Sequence, residues 1–146
     1  MIVYVDFDGT LAYFDTWKGQ NYAGHPCQDM VNKIKDHLKN GDEVWIYTAR
    51  VNPVEKYAPY DHKVIVNVIQ EWCLKHIGRK LPVTGIKGPA EVFYDDRAIR
   101  IVRNTGLTMG EFLDTMLTQL MEENVTKEEA LNKLRKTIKQ IEEIEV

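Results

Sequence analysis

Two periodicities alternate along the first hundred residues. Ile2-Val3-Tyr4-Val5 is a β-branched and aromatic run continuing to Phe7, and it reads as a buried strand. Apolar residues then recur three or four apart at Met30, Val31, Ile34 and Leu38, which predicts a helix over 27–40 stopped by Asn40-Gly41. Val44, Trp45, Ile46 and Tyr47 make 43–48 a second strand, apolar on both faces as in a parallel sheet. Val64, Ile65, Val68, Ile69, Trp72 and Ile77 predict a helix over 61–77 ended by Gly78, and short strands follow over 82–87 and 91–94.

Strand, helix, strand in that order implies right-handed crossovers and parallel pairing. The expected fold is α/β, a three-layer Rossmann-like sandwich with a parallel sheet. Two irregular stretches interrupt it, an excursion over 11–26 carrying Tyr13, Phe14, Trp17 and Tyr22, and a loop over 51–60 containing Pro53 and Pro59. From Thr108 the character changes. Thr108-Met-Gly-Glu111 and Thr126-Lys-Glu-Glu129 are capping-box patterns, so helices are expected over 109–124 and 127–145. The second shows a narrow stripe, Leu131, Leu134, Ile138, Ile141 and Ile144, suited to packing on another helix. The expected organisation is an α/β core over 1–106 and a helical pair over 107–146, packed on the core or used to form a homodimer.

A chain of 146 residues, 44% hydrophobic, suffices for one sizeable core. Its net charge of -3 gives no broad electropositive footprint, which argues against tracking long nucleic acid and leaves a small anionic substrate open. Cys27 and Cys73 share no metal-ligand spacing and read as free thiols, which fits a cytoplasmic setting. No apolar run approaches the ~20 residues that span a bilayer, so no membrane partner is expected.

Candidate chemistry concentrates in Asp6-Phe7-Asp8-Gly9-Thr10, directly behind the first strand. Asp8-Gly9 could instead turn a β-hairpin between 4–7 and 10–14. A calcium loop is ruled out, because its sixth and twelfth positions would be Leu11 and Trp17. If the strands are parallel, their carboxyl ends gather Asp6 and Asp8, then Thr48, then Lys87, then Asp95 and Asp96. Carboxylates so crowded repel one another unless a divalent cation holds them, and an oxygen-rich set suits Mg2+. Lys87 would then be a point charge against a transferring phosphoryl group, and the Thr48 hydroxyl a neutral donor.

Asp6-Phe-Asp8-Gly-Thr10, Tyr47-Thr48-Ala49-Arg50, Lys87 and Tyr94-Asp95-Asp96-Arg97 resemble, in order, the motifs of the haloacid-dehalogenase-like superfamily over roughly residues 1–106. The resemblance implies a small capless phosphatase in which Asp6 attacks phosphorus to form an aspartyl-phosphate, later hydrolysed by water. Asp8 would protonate the leaving oxygen and then take a proton from the water, while its backbone carbonyl ligates the metal. Asp6 and Asp95 would bind Mg2+, with Asp96 a ligand or an outer-shell partner. Gly9, Thr10, Ala49 and Arg50 would face the substrate phosphate. The lysine motif departs from the usual Lys-Pro by an inserted Gly88, which makes Lys63 an alternative. The insertion points hold only short loops, so the site should be open.

Tyr13, Phe14, Trp17, Tyr22, Tyr57 and Tyr60 fall near the expected mouth, either as packing of a small flap or as a stacking surface for a base. The leading expectation is a Mg2+-dependent phosphomonoesterase for a small phosphorylated metabolite or nucleotide. Alternatives are a 3'-phosphatase of polynucleotide ends and, in another class, a non-catalytic adaptor using the terminal helices.

Overall fold

The computed structural model describes residues 1–122 and 125–144, with the side chains of 122 and 141–144 outside the description. The expected helix ends at 124 and 145, and the stripe positions Ile141 and Ile144, fall outside it. Two compact units are present, Met1–Asp96 and Arg97–Val146.

The first unit contains β1 (Ile2–Asp6), α1 (Gln28–Lys39), β2 (Glu43–Tyr47), α2 (His62–His76), β3 (Val83–Thr84) and β4 (Val92–Tyr94). All strand pairs are parallel and the order is β3-β2-β1-β4, an α/β fold with the most buried strand, β1, inside the sheet. Alternation along β1 explains its burial. Val3, Val5 and Phe7 face one side, fully buried, beside Val44 and Ile46 of β2. Against them lie Val31 and Ile34 of α1 and Ile65, Ile69, Trp72 and Cys73 of α2. Each such side chain contributes roughly 1.5–3 kcal/mol on leaving water.

The opposite face carries Tyr4, whose ring lies 6.1 Å from Trp45, 6.0 Å from Tyr47 and 5.4 Å from Phe93. Both helices of this unit therefore cover one face, and an aromatic layer lines the other; the unit by itself supplies two of the three expected layers. Asp61 caps α2, its carboxylate accepting from the Lys63 N–H at 2.9 Å. The third strand stops at Thr84 rather than continuing to 87, because the Thr84 hydroxyl accepts from the Ile86 N–H at 3.0 Å and turns the chain out of the ladder.

The second unit contains α3 (Met109–Glu122) and α4 (Lys127–Ile144). Both capping boxes form as the sequence predicts. The Thr108 N–H donates to Glu111 Oε2 at 2.8 Å and the Glu111 N–H to Thr108 Oγ1 at 3.1 Å, and Thr126 and Glu129 repeat the exchange at 2.8 and 3.3 Å. Residues 97–108 belong with these helices through an Ile101–Thr108 bridge and a Met109 N–H bond to the Arg100 carbonyl. The expected boundary at 106 thus falls inside this unit. Among the described residues, no helix is long and apolar enough to cross a membrane.

Candidate active site

The strand order fixes where a ligand can enter. From β1 the chain builds outward through β2 to β3, then returns to place β4 on the other flank of β1. Between β1 and β4 the direction of winding reverses, and the crevice outside the carboxyl ends at such a switch point is where open α/β sheets bind ligands. Asp6 ends β1 and Asp95-Asp96 follow β4 directly.

Beyond Asp6 the backbone makes a tight turn, with the Leu11 and Ala12 N–H groups both donating to the Phe7 carbonyl, at 3.1 and 2.7 Å, and the Gly9 N–H to Ala12 O at 2.8 Å. The hairpin alternative does not form. Both flanks of β1 are taken by β2 and β4, and Ala12 bridges Pro26 instead. That bridge, with the Tyr13 N–H to His25 O bond at 2.8 Å, closes the excursion at its base. Gly24 is required there, since a Cβ would strike the Tyr13 carbonyl, while its own carbonyl accepts from the Trp72 indole at 2.7 Å.

Gly9 has φ +86°, and a Cβ on it would stand 2.6 Å from Asp96 Oδ2. The Asp96 N–H donates to Thr10 Oγ1 at 3.0 Å. These two facts bring the exposed Asp96 onto the β1 turn, across 86 residues of sequence. Asp6 is half-buried, and its pKa is pushed up to about 7, first by burial and then by the charges of Asp95, Asp8 and Asp96, partly offset by a backbone hydrogen bond at Phe7. Burial is thus the first reason that Asp6 holds its proton to higher pH than an ordinary carboxyl, and the charge of Asp95 adds to it.

Asp8 is turned the other way. Arg50 Nε donates to its Oδ2 and Arg50 Nη2 to its Oδ1, both at 2.6 Å, a bidentate pair. Arg50 Nη1 donates to the Tyr22 carbonyl at 2.7 Å. Thr48, only 2% exposed, takes the Arg50 N–H on its Oγ1 at 3.2 Å and starts the 3-10 turn Ala49–Val51. A hydroxyl that accepts in this way keeps its own proton to give.

The donor set fits a divalent cation such as Mg2+ in chemistry: hard carboxylate oxygens, with a crowded Asp6 that a cation would relieve. Among the described residues, no three His, Cys, Asp or Glu side chains are grouped so that they could hold a metal ion. Lys87 is exposed, its Nζ 5.1 Å from the centre of the Phe93 ring on the aromatic face, and Lys63 is exposed in the first turn of α2. Among the described residues neither forms an ion pair with a carboxylate. A groove between α3 and α4, lined by Met116, Leu120, Lys133 and Thr137, belongs wholly to the second unit and contains none of the candidate residues.

Sequence reasoning missed the Arg50–Asp8 pair and the part of the Tyr22 carbonyl. A signal existed: Asp6 is in register with Tyr47, so Asp8 and Arg50 leave neighbouring strands by comparable lengths with opposite charges.

No protein-family model matches the chain, and none of the curated proteins does. Among solved structures it is similar to a conserved protein from Bacteroides thetaiotaomicron, with TM-score 0.47 and 19% sequence identity over 86% of this chain and 93% of that one.

Proposed function

We propose that the chain is a Mg2+-dependent phosphomonoesterase of the haloacid-dehalogenase-like type, acting on a small phosphorylated metabolite or nucleotide through an aspartyl-phosphate on Asp6. The observation that carries this reading is the meeting, across the switch point, of the acidic pair after β4 with the β1 turn, where the Asp96 N–H donates to Thr10 Oγ1 and the Asp96 carboxylate abuts Gly9. Asp8 is answered by Arg50, whereas Asp95 and Asp96 add like charge beside Asp6, a crowding that a cation would relieve.

In this reading an Asp6 oxygen attacks phosphorus as the ester P–O bond breaks, and Asp8 delivers a proton to the departing oxygen. Asp8 then takes a proton from water, whose oxygen attacks phosphorus and returns the Asp6 carboxylate. Dividing one displacement into two in this way lowers each barrier. The Thr48 hydroxyl is the neutral donor to a phosphoryl oxygen, with Gly9, Thr10 and Ala49 around it. Lys87 or Lys63 supplies the mobile positive charge, either on a four-carbon stem long enough to swing. Asp6, Asp95 and the Asp8 carbonyl would hold Mg2+, with Asp96 beside them. When bound, the ion neutralises charge on the phosphoryl oxygens.

Hydrolysis of an aryl phosphate with and without Mg2+, by the native chain and by Asp6→Asn, tests the reading. The native rate should require Mg2+, and Asp6→Asn should lose at least about 10^3-fold, given that removing a nucleophile can cost up to ~10^6. Equal rates in the two proteins remove Asp6 from the chemistry.

A further inference from the structure

We propose that Arg50 is a positioning residue that fixes the Asp8 carboxylate to the 11–26 excursion, and that it does not bind the substrate phosphate; this rests on the phosphatase reading above. A guanidinium has five N–H donors in a rigid fork. Two go to Asp8 and one to the Tyr22 carbonyl, and the side chain is only 5% exposed. Its backbone N–H is tied to Thr48 Oγ1, so the side chain starts from a fixed point. The rings of Phe7 and Trp17 lie against it, with centroids 5.3 and 4.9 Å from Cζ. Three of its five donors are thus committed, and with the side chain so buried and flanked by two rings, the other two N–H groups have little access to a phosphate in the crevice.

The exposed aromatics have a use in this arrangement. Trp17 lies 4.9 Å from Tyr60 of the second loop, and the Asp61 N–H donates to Gln20 Oε1 at 3.2 Å, so the two loops brace each other over Arg50. Tyr22 is held through its carbonyl by Arg50 and lies beneath the Lys18 ammonium. Of the rings that the sequence places at the mouth, Trp17 and Tyr60 are thus spent on each other, and Trp17 also on the guanidinium. Asp8 still has room to act. A carboxylate offers about four lone-pair sites and Arg50 uses two, leaving the others for a leaving oxygen or a water. The fork fixes the plane of the carboxylate, which a lysine ammonium cannot do.

The test compares the native chain with Arg50→Lys and Trp17→Leu, in Mg2+, on phosphate monoesters whose leaving groups run from nitrophenol to an alkyl alcohol. A misaligned Asp8 hurts most where the leaving oxygen needs a proton. Arg50→Lys should therefore lose about 10^2-fold in kcat/KM, which reports the step that expels the leaving group, on the alkyl ester and less than about 10-fold on the nitrophenyl ester, with KM changed less than about threefold. Trp17→Leu should show the same tilt, about 10-fold on the alkyl ester. Trp17 is 36% exposed and its replacement should fold, so it carries the test if circular dichroism shows Arg50→Lys unfolded. A rise in KM with kcat kept would make Arg50 a phosphate ligand, and an equal loss across the ester series would make it merely structural; either overturns the proposal. A native chain inert toward every ester, with and without Mg2+, would remove the phosphatase reading itself and the positioning role with it.

Discussion

The two flanks of β1 are held in opposite ways at the same rim. On the β2 side, charges are answered by charges: Asp8 is paired with Arg50 in two bonds, Arg50 is tied to Tyr22, and Thr48 is buried beneath. On the β4 side, Asp95 and Asp96 crowd Asp6, and an Asp96–Thr10 hydrogen bond spans the gap. The contrast teaches that the site divides its work. One flank is closed by an ion pair, and on the other like charges crowd Asp6.

Breaking the closed flank should cost most. Arg50→Ala strands the Asp8 carboxylate, and urea unfolding should show a loss of about 3 kcal/mol, the lower end for breaking a buried pair because Asp8 keeps 19% side-chain exposure. A loss under about 1 kcal/mol would mean that the pair is no better than a surface one. On the open flank, Gly9→Ala forces a side chain into positive φ against Asp96, and the same measurement should show roughly 1–3 kcal/mol together with a fall in phosphatase rate. An unchanged protein would separate Asp96 from the turn.

The imbalance on that flank predicts a pH dependence. Asp6 has its folded pKa raised to about 7 against an ordinary value near 4, so across that window the folded state keeps a proton that the unfolded chain has released. Without divalent ions, the contribution of Asp6 to stability should therefore be complete below about pH 4 and fall as pH rises toward 7, by on the order of 1–2 kcal/mol once solvent screening is allowed for. Mg2+ should restore Tm at pH 8 more than at pH 5, and Asp6→Asn should flatten the profile. A profile equally steep in Asp6→Asn would assign the effect to other groups. The smallest change belongs to Thr10→Val, which deletes the hydrogen bond from Asp96 and should cost about 1 kcal/mol.

What the sequence could disclose follows the range of each interaction. The strands and helices of the first unit were legible because their burial is periodic, and Thr108 and Thr126 marked helix starts because a capping box closes within four residues. The meeting of Asp6 with Asp95 and Asp96 was legible for a different reason: parallel strands deliver their carboxyl ends to one edge whatever lies between. The direction of Arg50 was not. A guanidinium there satisfies either a phosphate or Asp8, and what decides is a carbonyl at Tyr22, 28 residues away, in a stretch without periodicity. The placing of Lys87 turns on an equally small cause. Once the Thr84 hydroxyl bends the chain out of β3, the lysine lies over Phe93, and no ladder register remains to say where its ammonium points.

The outermost strands of the sheet are its shortest: two residues in β3 and three in β4, against five each in β1 and β2. A foreign strand seeking to add on would find too few open amide and carbonyl groups to hold it. The apolar centre, which as a free peptide would favour fibrils, is kept from self-association by having borders too narrow to template growth.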